Sequence, residues 1–123
     1  TNVTSMSHMF TACQSLTELN LSSFNTKNVK TMENLFNYCS SLIDLNLSNF
    51  DISSVTNLNG LFANCKSLEK LDLSSFVFKD DVVTSNMFGQ VPISTLIYVK
   101  DDSSKEFILS VRSDLTNVQV KNL

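Results

Sequence analysis

The sequence predicts an α/β repeat fold: a right-handed solenoid with short parallel strands on its concave face, short helices on its convex face, and an α+β cap at the carboxy end. Three observations predict it. A unit recurs with a period of 26, aligning Val3 with Val29 and Val55, Phe10 with Phe36 and Phe62, and Cys13 with Cys39 and Cys65. Within each unit the apolar spacing changes from steps of three and four to steps of two. After Phe76 the template decays in phase, as the closing end of a stacked array does.

Each element follows from its own residues. Val29, Met32, Leu35, Phe36 and Cys39 stand at steps of three and four, as do their counterparts from Val3 to Cys13 and from Val55 to Cys65. That spacing places them on one face of a short helix in each unit. Leu19-x-Leu21, Leu45-x-Leu47 and Leu71-x-Leu73 then alternate, which predicts a short strand with one buried face. Helix followed by strand at a fixed period coils to the right, with the strands side by side. The full run Leu42-x-x-Leu45-x-Leu47-Ser48-x-Phe50 carries the signature and the period of a leucine-rich repeat. Phe24, Phe50 and Phe76 occupy the slot that usually holds Asn or Cys, and rings there predict a dry aromatic spine.

The array is expected to span 1–100, with units at 1–26, 27–52 and 53–78 and a degenerate unit at 79–100. In the last, Met87 and Phe88 keep phase while Val91 replaces the cysteine and Pro92 follows it. Residues 101–123 read as the cap. Ser103-x-x-Glu106 is a capping-box pattern that predicts a helix over about 103–111, and Val118-x-Val120 predicts a strand over about 117–121. No such cap precedes Met6, Met9, Phe10, Leu19 and Leu21. The chain therefore reads as a piece of a longer protein, and its amino-terminal coil is expected to meet upstream repeats or a second copy.

Composition narrows the chemistry. A net charge of −3 and a pI near 4.9 leave no basic footprint, so no nucleic-acid partner is expected. No apolar run approaches the ~20 residues that span a bilayer, so no membrane insertion of this segment is expected either. One cysteine per unit lacks the close ligand pairs of a zinc site, and Cys13, Cys39 and Cys65 are expected to form one buried column of free thiols. His8 is the sole imidazole; its slot holds Asn34 and Gly60 in the following units and so reads as solvent-facing. No Ser-His-Asp or Cys-His set can be assembled around it. With Gly60 and Gly89 the only glycines there is no phosphate-binding loop, and Asp80-Asp81 and Asp101-Asp102 read as turn or helix-start residues. The sequence thus predicts no enzyme, no cofactor and no metal site.

The candidate ligand-facing residues lie between the strand leucines. Side chains alternate across a strand, so Glu18, Asp44 and Lys70 form one outward column and Asn20, Asn46 and Asp72 the next. Columns of Ser22, Ser48 and Ser74 and of Ser23, Asn49 and Ser75 adjoin them. Such a lattice suits a repetitive polar partner, a polysaccharide or an extended polypeptide. Phe24, Phe50, Phe76 and the three cysteines are expected in the core.

The unit Asn28-Val29-x-x-Met32-x-x-Leu35-Phe36-x-x-Cys39-x-Ser41-Leu42-x-x-Leu45-x-Leu47-Ser48-x-Phe50-Asp51 closely resembles the repeat of BspA-like leucine-rich-repeat proteins, found among surface proteins and lipoproteins of Gram-positive bacteria and mycoplasmas. The resemblance covers residues 1 to about 99. It implies a secreted or cell-surface protein that engages a host or environmental protein or glycan as a non-enzymatic, adhesin-like module. The alternative is a structural spacer that projects another adhesive domain.

Overall fold

The computed structural model describes residues 3–121. Four short strands, β1 (Asp44–Asn46), β2 (Lys70–Leu73), β3 (Leu96–Val99) and β4 (Val118–Val120), form one parallel sheet in the order β1-β2-β3-β4, and one helix, α1 (Asp102–Val111), joins β3 to β4. This is an α/β repeat fold. Leu45 pairs with Leu71 and Leu71 with Ile97, so each step across the sheet from β1 to β3 is one sequence period. A second line of single bridges, Ser5 to Thr31 to Asn57 to Val83, ties the opposite side of successive units with the same period.

The core lies between these two lines. Leu42, Leu45 and Leu47 and their counterparts Leu68, Leu71 and Leu73 are buried on the inner face of the sheet, against Met32, Leu35, Phe36, Leu58, Leu61 and Phe62. Burying each such side chain contributes roughly 1.5–3 kcal/mol, which makes the identical slots of the repeat its stability. The Leu19–Leu21 segment forms no strand, and the bridge that ties it to the sheet is Glu18–Asp44.

The expected helices within the repeats are absent. Residues 33–38 and 59–64 run as consecutive turns, each entered from an isolated bridge at Thr31 or Asn57, and α1 is the single α-helix among the described residues. Hydrogen-bond direction explains the difference. Leu35, Asn37 and Cys39 donate back three residues, to Met32, Asn34 and Phe36, while the alternate N–H groups of Met32, Asn34, Phe36 and Tyr38 leave the unit for the carbonyls of Asn57, Asn59, Leu61 and Ala63 in the next. An α-helix needs those same N–H groups for its own fourth-residue bonds. The turns also place His8, Asn34, Gly60 and Asn86, and again Ala12, Tyr38, Asn64 and Gln90, at positive φ. Only short runs of turn tolerate such left-handed residues, and Asn and Gly adopt them at least cost. The slot shared by His8, Asn34 and Gly60 is therefore selected for backbone conformation; His8 is exposed, whereas Gly60 is buried.

The stacked aromatic column is also a different one. Phe10, Phe36, Phe62 and Phe88 lie with ring centroids 5.8, 5.9 and 5.6 Å apart, the first two pairs within 3° of parallel. Phe50 and Phe76 are buried and Phe24 half-buried, but no two of those three rings stack among the described residues. Helix α1 starts one residue before the expected site because Asp101, and not Ser103, is its N-cap, accepting from Ser104 N at 2.9 Å.

Candidate functional site

The outward residues of the sheet divide into two halves of opposite character. In the amino-terminal half Glu18, Asn20, Asp44 and Asn46 are all exposed and surround a shallow cleft of about 370 Å³, with Leu19, Leu21, Ser22, Ser48 and Asn49 completing its walls. Neither carboxylate has a basic partner among the described residues. Asn20 Oδ1 accepts from Ser22 N and Oγ at 3.1 and 2.7 Å, and Asn46 Oδ1 accepts from Ser48 N at 2.9 Å. These bonds end the strand segments in side-chain-closed turns, and they orient the Asn side chains so that the amide nitrogens remain for a ligand.

In the carboxy-terminal half the polar groups pair with one another, beside a second cleft of about 400 Å³ lined by Lys70, Tyr98, Gln119, Val120 and Lys121. Asp72 stands next to Asn46 and Tyr98 in the parallel register, yet it is 4% exposed. Lys121, just past β4, places Nζ 2.5 Å from Asp72 Oδ2, and Ser74 N donates to Oδ1 at 2.9 Å. Burial opposes the charge on Asp72, but these donors outweigh it and hold the carboxyl below its usual range. The ammonium groups of Lys70 and Lys121 each lie 5.7 Å from the Tyr98 ring centroid, within cation–π reach. The six expected ligand-facing residues are thus separated: four share the open cleft, Lys70 lies over the tyrosine, and Asp72 anchors the tail.

The adjoining Ser23, Asn49 and Ser75 column is largely structural. Asn49 Nδ2 donates to Leu21 O at 3.0 Å, and Ser75 Oγ donates to Leu47 O and Phe50 O at 2.9 and 2.6 Å, so both tie their unit to the preceding one.

The cysteines are free, with Cys39 and Cys65 buried and Cys13 half-buried. Cys39 Sγ donates to Phe10 O at 3.1 Å and Cys65 Sγ to Phe36 O at 3.3 Å, so the thiols also link successive units. Burial pushes the Cys39 thiol up to about 11 and the Cys65 thiol up to about 12, which keeps both protonated and unreactive at neutral pH. Among the described residues no group of three His, Cys, Asp or Glu is placed to hold a metal ion. Among the described residues no helix is long and apolar enough to cross a membrane.

Sequence reasoning missed Tyr98, Gln119 and Lys121 as neighbours of this face. Val118-x-Val120 gave the signal for a strand, but nothing in the sequence sets that strand beside β3, and its placement is what carries Lys121 to Asp72. What the open half can do is hydrogen-bond and attract cationic or hydroxyl-bearing groups, through two free carboxylates and a pair of oriented amides.

A family model described as "Mycoplasma protein of unknown function, DUF285" matches residues 1–95, which takes in the repeat units and ends just before β3. No curated protein and no solved structure matches the chain.

Proposed function

The chain belongs to the DUF285 family of Mycoplasma proteins of unknown function, and from there we propose that it is a non-enzymatic binding module, displayed at the bacterial surface, that engages an extracellular protein or glycan through the open half of its polar sheet face. On this reading the stacked units are a leucine-rich-repeat solenoid related to the BspA-like surface repeats. The carrying observation is the cleft of Glu18, Asn20, Asp44 and Asn46, where two unpaired carboxylates and two oriented amides face solvent. A partner with regularly spaced hydroxyl, amide or ammonium groups matches that lattice.

The test is a screen of the protein against extracellular-matrix proteins, mucins and glycans, followed by Glu18→Lys and Asp44→Lys together. Both positions are exposed, so the double variant should keep its melting temperature. A bound component should lose at least about tenfold in affinity, the ~1.4 kcal/mol scale of one desolvated polar contact. A component bound equally well by the double variant would place recognition elsewhere. No retained component across the screen would leave the spacer role.

A further inference from the structure

The cleft at the β3 and β4 end of the sheet has a chemistry of its own. Along the column of Glu18, Asp44 and Lys70 the charge changes sign between β1 and β2. Lys70 is exposed and makes no ion pair among the described residues. Lys121 reaches the same place from the far side of the sheet. It spends one N–H on Asp72 Oδ2, and an ammonium group has two more to give. Both ammonium groups lie 5.7 Å from the ring centroid of Tyr98, whose hydroxyl has no hydrogen-bond partner among the described residues. Gln119, in register with Tyr98, donates Nε2 to Asn117 Oδ1 at 2.6 Å and so keeps Oε1 as an acceptor. These four side chains line the cleft of about 400 Å³, with Val120 as their one aliphatic neighbour.

We infer that this cleft is a binding subsite for an acidic sugar residue, with its carboxylate or sulfate held by Lys70, Lys121 and the Tyr98 hydroxyl and an adjoining hydroxyl held by Gln119 Oε1. Two ammonium groups and a phenol supply donors of the kind an oxyanion accepts, and bonds to a charged group are the strong ones. The acceptor beside them answers a hydroxyl, which an acidic sugar carries close to its charge and an Asp or Glu side chain does not. Val120 alone is too little for the apolar anchor that peptide recognition uses. Asp72 is 4% exposed and does not line the cleft, so it fixes the Lys121 ammonium without filling the space beside it. A lysine already ordered loses less freedom when a ligand binds. Asp44, in register with Lys70, repels an anion on the β1 side and so confines the charged group to the β3 and β4 side. The subsite does not depend on the Glu18 and Asp44 cleft binding anything.

Titration of the isotope-labelled protein, followed by amide chemical shifts, tests it with four probes: oligogalacturonate for carboxylate, dextran sulfate for sulfate, neutral dextran, and oligoglutamate for an acidic peptide. One or both acidic saccharides should shift Lys70, Tyr98, Gln119 and Lys121, and should bind at least about tenfold more tightly than dextran or oligoglutamate. Lys70→Gln, at an exposed position, should weaken that binding at least about tenfold, and Tyr98→Phe, which keeps the ring, at least about threefold. Glu18→Lys with Asp44→Lys should tighten it about two- to fivefold by removing repulsion, whereas the same pair weakens any ligand of the open cleft, so the two readings fail separately. Four results would overturn the inference: no shift at these residues with either acidic saccharide, equal binding of oligoglutamate, an unchanged affinity in Lys70→Gln, or a loss of acidic-saccharide binding in the double lysine variant.

Discussion

Replacing Phe36 by Ala removes the ring that joins two junctions at once. Phe36 is fully buried, with Phe10 5.8 Å to one side and Phe62 5.9 Å to the other. A buried Phe→Ala change costs about 3–5 kcal/mol from transfer and cavity together. Each lost ring pair carries a further ~0.5–1.5 kcal/mol, part of which that range already contains. We predict a loss of about 4–6 kcal/mol, comparable with the whole stability of an ordinary domain. Phe36→Leu keeps most of the buried area and loses the ring pairs, so it should cost only about 1–2 kcal/mol. Phe10→Ala, half-buried and stacked on one side only, should fall near 2 kcal/mol. Far-UV circular dichroism in urea reads these differences. With a slope of roughly 1–3 kcal/mol per molar, 4 kcal/mol moves the midpoint by about 2 M. Equal midpoints for Phe36→Ala and Phe10→Ala would refute the reasoning, since they would show that a ring's neighbours on both sides contribute nothing beyond those of an end unit.

Phe50→Ala should also exceed Phe24→Ala, by about 1–3 kcal/mol, because Phe50 is buried while Phe24 is half-buried in the first unit; urea midpoints check it. Gly60→Ala should cost about 2–3 kcal/mol, from the left-handed φ of +63° and from a Cβ that would stand 2.0 Å from Asn34 Oδ1, which already accepts from Asn37 Nδ2. The penalty should shrink by about 1 kcal/mol when Asn34→Gly is made first, and a double-mutant cycle measures that coupling. Asp72→Asn should lower stability by about 1–3 kcal/mol at pH 7, the scale of hydrogen bonds to a charged group. The folded carboxyl lies below its unfolded value of about 3.9, so this contribution is present above that pH and is lost as pH falls through the folded value. Urea titrations should therefore find wild type and variant converging as pH falls through and below the lowered folded value; a gap that persists once the carboxyl is fully protonated would assign the effect to shape alone.

The period, the buried leucines and the thiol column were legible in the sequence because identical side chains in identical slots can only be a shared core. The elements between them were less so. Steps of three and four fit an α-helix, but they fit a run of three-residue turns equally well, and the choice lies in where alternate backbone N–H groups point, which side-chain pattern does not record. The His8, Asn34, Gly60 and Asn86 column held the available clue, since a slot filled by Asn, Gly and His favours positive φ as much as exposure. On the polar face, alternation placed Glu18, Asn20, Asp44 and Asn46 correctly as outward. It could not anticipate that Lys121, far along the chain, would return to cover Asp72. Ser103 was an adequate cap by pattern, yet Asp101 lies two residues earlier and its carboxylate takes the Ser104 amide instead.

Backbone chemical shifts from a labelled sample test the central claim, that neighbouring units compete for the N–H groups a helix would need. The account predicts helical Cα shifts over Asp102–Val111 alone among the described residues, with left-handed signatures at Asn34, Tyr38 and Asn64. Continuous helical shifts across 29–39 and 55–65 would contradict it.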